Sequence, residues 1–310
     1  MRVFIAGATG TLGLPIVKRL IAADHEVIGL TRKETGAAAL RQLGAEAVIG
    51  DALDGERLLQ LVQEAKPTRV LHLLTALPPA GGARKKDLDA TNELRIRGTE
   101  HLIRAAIAAG AKRLVAESFP SVYGKGDFHA PLAEDAPLGA VPSGTMHEVV
   151  GALRSMEAQL AAARGRIETV VLRYGYLYGA SVPSTRMLLD GLRARKVPIL
   201  RGASGLGSFL HIDDAVDVTV AALEREPVSA VYNVVDDEPV GPAAFIAAAA
   251  DQIGAPPPRK VPRFVMKLAA PMIVDFSEMR LPLANARAKR ELGFAPRYPT
   301  YREGLRDGIH

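Results

Sequence analysis

Val3-Phe4-Ile5-Ala6-Gly7-Ala8-Thr9-Gly10-Thr11-Leu12-Gly13 runs from a short apolar segment through three glycines into Leu14 to Ala23, which carries helical spacing. Strand, turn and helix follow one another without a gap. In the spacing Gly-x-x-Gly-x-x-Gly, Gly7 permits the tight turn. Gly10 lets a pyrophosphate approach the backbone, and Gly13 lets the helix pack closely on the strand. The helix N-terminus then offers free N–H groups and a positive dipole to an anion. Gly7, Thr9, Gly10, Thr11, Leu12 and Gly13 are therefore the expected pyrophosphate cradle of a dinucleotide.

Working outward, the second strand, Glu26 to Leu30, leads into Thr31-Arg32-Lys33. An acidic residue there would hold the adenosine ribose hydroxyls of NAD(H). Arg32 stands instead, and a guanidinium pairs with the 2′-phosphate of NADP(H). NADP(H) is thus expected over NAD(H), the alternative being a solvated loop arginine. Asp51 and Ala52 close the third strand, Glu46 to Ile49, where Asp51 could reach the adenine or simply serve a turn.

The alternation continues with helices Gly36 to Leu43 and Leu58 to Glu64, strand Val70 to Leu74 and a long helix, Asn92 to Ala109. Strand Arg113 to Ala116, helix Val150 to Ala163 and strand Thr169 to Arg173 follow. Strands alternating with crossover helices imply an α/β fold. The expected form is a doubly wound parallel sheet, the Rossmann arrangement, covered on both faces. After Tyr178 prolines punctuate short elements. Helix Thr185 to Arg195 is expected to leave the sheet, with Phe209 to Ile212 and Val231 to Val235 returning to it. The expected organisation is a dinucleotide-binding lobe over 1–178, completed by elements near 209–236. A smaller, mostly helical substrate cap comprises 179–208 and 237–310. Phe264, Met266, Leu268, Met272, Ile273, Phe276 and Met279 either line an apolar pocket there or pack a core.

Composition limits the alternatives. The 310 residues contain no cysteine, which excludes disulfides and thiolate chemistry and fits a reducing cytoplasm. The net charge of +5 is scattered rather than gathered in a stripe, so nucleic-acid binding is not expected. No signal peptide is visible and no apolar run is long enough to span a bilayer, so no membrane partner is expected either.

Further ordered motifs lie along the chain: Thr91-Asn92 with Arg97-Gly98-Thr99-Glu100-His101-Leu102, Ser121-Val122-Tyr123-Gly124, and Leu172-Arg173-Tyr174-Gly175-Tyr176-Leu177-Tyr178-Gly179. Phe209-Leu210-His211-Ile212-Asp213-Asp214-Ala215-Val216 and Glu291-Leu292-Gly293-Phe294-Ala295-Pro296 complete the set. With the glycine turn, they resemble the extended short-chain dehydrogenase/reductase family, which includes nucleotide-sugar epimerases and dehydratases. The resemblance implies a Tyr-x-x-x-Lys pair on the helix after the fifth strand and a Ser or Thr at that strand's end. It also implies a dimer built on the two long helices, hence a possible homodimer. The catalytic set is missing. Phe119 stands at the serine position, with Ser118 one residue earlier. Val149 and Leu153 stand at the tyrosine and lysine positions, and neither can exchange a proton.

Other groups must then supply any acid–base chemistry. Tyr123, Ser118, His147 and Tyr174 are the candidate catalytic residues, each with a plain alternative as a packed, bonded or solvated side chain. Glu117 at the end of the fifth strand is a further possible base, and Tyr178 a further proton donor. Arg173 falls where the resemblance places the nicotinamide. Asp213 or Asp214 is expected to cap its helix. The function expected is an atypical NADP(H)-dependent oxidoreductase acting on a small, apolar metabolite. The alternatives are a non-catalytic NADP(H) sensor, or an isomerase or lyase with a structural cofactor.

Overall fold

A computed structural model describes residues 1–78, 85–225, 230–269, 274 and 277–307. The strands are β1 (Arg2–Ala6), β2 (Glu26–Thr31), β3 (Glu46–Ile49), β4 (Arg69–His72), β5 (Arg113–Ser118) and β6 (Glu168–Tyr174). Then come β7 (Tyr176–Tyr178), β8 (Ile199–Leu200), β9 (Phe209–His211), β10 (Val231–Val234) and β11 (Lys260–Val261). Seven form one parallel sheet in the order β10-β6-β5-β4-β1-β2-β3. The chain winds outward from β1 to β3, then back past β1 to β4. The turns after β1 and β4 therefore diverge and open a crevice at the carboxyl edge.

Side chains alternate across each strand, so each buried strand feeds two cores. Val3, Ile5, Leu71 and Val115 pack under α1 (Gly13–Ala22) and α8 (Ile212–Glu224). Phe4, Ala6, Val70 and Leu114 face α3 (Gly55–Ala65), α5 (Thr99–Ala108) and α6 (Thr145–Ala163). Ile5 and Leu71 are fully buried, and truncating either to alanine costs about 2–5 kcal/mol.

Two expectations need correction. The helix read as continuous over 92–109 is interrupted: Lys85–Glu93 is followed by a π turn over Leu94–Gly98 before α5 begins. The wider turn accommodates an extra residue, which keeps Leu94 and Arg95 inward together with Gly98 and Thr99. Phe209–His211 does not return to the main sheet but pairs with β7 in a two-stranded one. At the break between β6 and β7, Gly175 lies against the Ser208 and Phe209 carbonyls with no room for a Cβ. β10 does rejoin the main sheet, beside β6. The cap adds α7 (Pro183–Arg193), α9 (Pro242–Gln252) and a two-residue β8–β11 ladder.

Candidate active site

The crevice is lined by Gly7, Thr9, Gly10, Thr31, Arg32, Gly50, Asp51 and Ala52, with Leu73, Leu74, Thr75 and Leu94 on its other wall. Gly7 has φ +95°, a conformation that excludes other residues without strain, and a Cβ there would strike the Leu73 carbonyl. At Gly13 a Cβ would strike the Gly7 carbonyl, so this glycine lets α1 sit directly on the turn. Leu12 precedes α1 and provides no side-chain cap. The Leu14 amide bonds the Gly10 carbonyl at 3.2 Å and Pro15 has no N–H, so the amides of Leu12 and Gly13 are the ones left for an anion. On the rim, Arg32 is exposed and has no hydrogen bond or ion pair among the described residues. Asp51 uses one oxygen to accept the Leu53 amide at 2.9 Å. An uncapped helix and a glycine cradle in one groove fit a dinucleotide, and an unpaired guanidinium stands at the far end of that groove.

The four candidate catalytic side chains are not gathered in this groove. The Tyr123 hydroxyl shares its one proton between the Ala133 carbonyl at 2.9 Å and Asn233 Oδ1 at 3.0 Å, and the residue is fully buried. Burial raises its pKa, although Arg173 stacked 4.6 Å above the ring pulls the other way. The Ser118 hydroxyl donates to Glu157 Oε1 at 2.6 Å. Arg173 binds the same carboxylate through Nε at 3.0 Å and Nη2 at 2.7 Å, and donates to the Glu134 carbonyl at 3.3 Å. Ser118, Tyr123 and Arg173 thus come together, but around Glu157 and Asn233. Tyr174 shares a 2.6 Å hydrogen bond with Thr219, and burial drives its pKa upward. His147 is exposed on the first turn of α6. Val149 and Leu153 lie in the core.

Other chemistry lies at the carboxyl end of β5, beyond the lining residues. Glu117 follows Arg113 and Val115 on the α8 side of β5, since Arg113 donates to the Ala222 and Leu223 carbonyls of α8. Burial pushes the Glu117 carboxyl above the usual range, and Arg95 opposes the shift. Below them, His72 accepts the Leu74 amide on Nδ1 at 3.2 Å, so its Nε2–H donates to Thr99 at 2.9 Å. Asn92 Oδ1 is buried with no hydrogen-bond partner. Asn92 belongs to a motif the sequence displays but without an assigned role, whereas Arg95 escaped sequence reasoning because nothing in the local pattern distinguishes it from the polar face of a helix.

Near the cap, Phe119 packs edge-on against Tyr176 at 5.1 Å. Tyr176 meets Phe209 at 5.5 Å, and Phe209 stacks on Phe245 at 4.1 Å. Met266 packs with Leu200 and Val274, while Phe264 and Leu268 are exposed and Met279 joins the main core. Met272, Ile273 and Phe276 lie outside the described residues. Neither Asp213 nor Asp214 caps α8. His211 does so, accepting the Asp213 amide at 3.3 Å, and Asp214 accepts the Arg297 and Tyr298 amides at 2.7 and 3.1 Å.

The model of the NAD dependent epimerase/dehydratase family matches residues 3–234. The chain belongs to that family. A 3-diazoavenalumate denitrifying reductase from Streptomyces is 39% identical over 98% of this chain and 99% of its own length. A 4-hydroxy-2-methyl-3-oxo-4-farnesyl-3,4-dihydroquinoline-1-oxide ketoreductase from Stigmatella aurantiaca is 26% identical over 98% and 95%. Among solved structures, the UDP-glucose 4-epimerase of Thermotoga maritima superposes with a TM-score of 0.81 at 20% identity, covering 100% of this chain and 97% of that one. The likeness to that structure concerns the fold. With reductases among its relatives, this family member is an NAD(P)-dependent oxidoreductase. No helix among the described residues is long and apolar enough to cross a membrane.

Proposed function

We propose that the protein is an NADP(H)-dependent reductase of a small, largely apolar metabolite. The observation that carries this reading is Arg32, exposed and unpaired on the rim of the glycine cradle, where a 2′-phosphate would find its counter-charge. Gly7, Gly10 and the opening amides of α1 would hold the pyrophosphate, with Asp51 and Ala52 on the adenosine side. When bound, the reduced nicotinamide supplies a hydride. Phe119 in place of the family hydroxyl, backed by Tyr176 and Phe209, offers an aromatic wall in place of a sugar-binding group. The reductase names of two full-length relatives support the redox assignment.

Fluorescence titration with NADPH and NADH tests the cofactor reading, and tighter binding of NADPH is expected. Single-turnover oxidation of NADPH with a panel of enones, imines and ketones tests the reaction. Equal affinity for the two dinucleotides would remove the role given to Arg32, and silence across the panel would count against reductase activity.

A further inference from the structure

Arg95 and Glu117 approach the carboxyl edge of the sheet from opposite sides. Arg95 belongs to the π turn, which packs on α5 and α6. Glu117 belongs to the α8 side of β5. Arg95 is only 9% exposed yet has no hydrogen bond and no ion pair within 4.0 Å among the described residues. Glu117 likewise has no hydrogen bond or ion pair among the described residues, although the two groups attract each other. Glu117 is half-buried, and neither its oxygens nor the Arg95 nitrogens are sealed from solvent, so both charges keep an open face rather than closing into a pair. A π turn in mid-helix is also a recurrent feature of functional sites. Three residues before Arg95, Asn92 keeps a buried, unpartnered oxygen on the same side of the helix.

We propose that Arg95 and Glu117 form the proton-transfer site, taking a polar substrate group between them. The inference rests on the reductase reading above. Once the substrate's polarised double bond has accepted a hydride, the bond's electron pair sits on its electronegative or conjugated end as one negative charge. Arg95 donates hydrogen bonds to that charge. The Glu117 carboxyl gives its Oε proton to the same end, forming the new X–H bond and leaving a carboxylate opposite Arg95. Solvent returns the proton after product leaves. The charged or titratable groups facing this site are Arg95 from the π turn, Tyr174 from β6 and His72 from β4, which is neutral. Neither tyrosine nor lysine is needed at the positions held by Val149 and Leu153.

The test uses the full-length protein carrying 13C-carboxyl glutamate, with the Glu117 resonance assigned by its loss in Glu117→Gln or, if that variant fails to fold, in Glu117→Asp. Glu117 is expected to titrate above the ordinary glutamate range, and higher still in Arg95→Gln. NADPH affinity should stay within about threefold in both variants. Single-turnover NADPH oxidation with cyclohex-2-enone and a cyclic imine should fall at least about a hundredfold in Glu117→Gln. An ordinary Glu117 titration, unmoved by Arg95→Gln, overturns the proposal while leaving the reductase reading standing. Failure of the wild-type protein to bind NADPH overturns both.

Discussion

Glu157 holds Arg173 by two hydrogen bonds, from Nε at 3.0 Å and from Nη2 at 2.7 Å, with both side chains nearly enclosed. The pair joins α6 to β6, and Ser118 adds a third donor from β5. Removing one partner strands the other charge. Glu157→Ala is expected to cost about 3–5 kcal/mol, read as a lowered urea midpoint. Ser118→Ala, which removes one hydrogen bond to a charged group, should cost about 1.5–3 kcal/mol at most. A fall in hydride transfer at unchanged stability in Ser118→Ala would instead move this serine into the reaction.

Arg32 should set dinucleotide choice without setting stability. Arg32→Glu is expected to weaken NADPH binding about tenfold to a hundredfold, the range of a lost charge-assisted interaction, and to leave NADH binding level or improved. Parallel fluorescence titrations measure the ratio, and thermal melts without ligand should superimpose on wild type.

Gly10 and Gly13 should separate binding from folding. A Cβ at Gly10 finds its nearest neighbour, the Gly7 carbonyl, at 3.2 Å, so Gly10→Ala should melt near wild type while losing affinity for either dinucleotide more than about tenfold, through obstruction of the pyrophosphate. At Gly13 the obstruction is backbone on both sides, the Gly7 and Ala8 carbonyls, and cannot swing away. Gly13→Ala should cost at least about 1–3 kcal/mol before any ligand is added.

Two buried groups give pH dependences of opposite sign. Burial, with Arg95 nearby, lowers the His72 pKa from 6.5 to about 4. The unfolded chain takes up a proton near pH 6.5, whereas the folded one resists until near pH 4. Stability from this group is therefore complete above pH 6.5 and declines as the pH falls to about 4, by roughly 3 kcal/mol in all. His72→Gln should flatten that slope in urea melts. Asp236 is buried and its carboxyl is pushed up to about 8. Here the folded state keeps a proton that the unfolded state loses, so stability declines as pH rises from about 4 toward 8. Asp236→Asn, always neutral, should gain Tm over wild type progressively across that interval.

The parallel sheet and the phosphate turn were legible because their causes are local. Apolar runs of strand length, helical spacing and three glycines all lie within a few residues of one another in the chain. The candidate catalytic residues were less so. Tyr123 and Ser118 read as polar groups at the end of β5, but Asn233 is 110 residues from Tyr123 and Glu157 is 39 from Ser118. Those partners take their hydrogen bonds, and no pattern in the chain announces it. The pattern over Phe209 to Ile212 gives a strand that the structure holds to Phe209–His211, with Ile212 opening α8, and its partner is β7 rather than the main sheet, because pairing is decided by which edge lies within reach.

Sequence alone determined the strand–turn–helix opening, the parallel winding, the absence of thiol chemistry and the loss of the Tyr-x-x-x-Lys pair, since each follows from residue type and spacing. Tertiary structure decided which polar groups are already satisfied and which are not. It committed Ser118 and Arg173 to Glu157, left Arg32 unpaired on the rim, and left Arg95 and Glu117 without a hydrogen bond or ion pair among the described residues. The reason is that desolvation and hydrogen bonding act through space: a side chain's proton affinity and free donors depend on neighbours that the chain brings together only on folding.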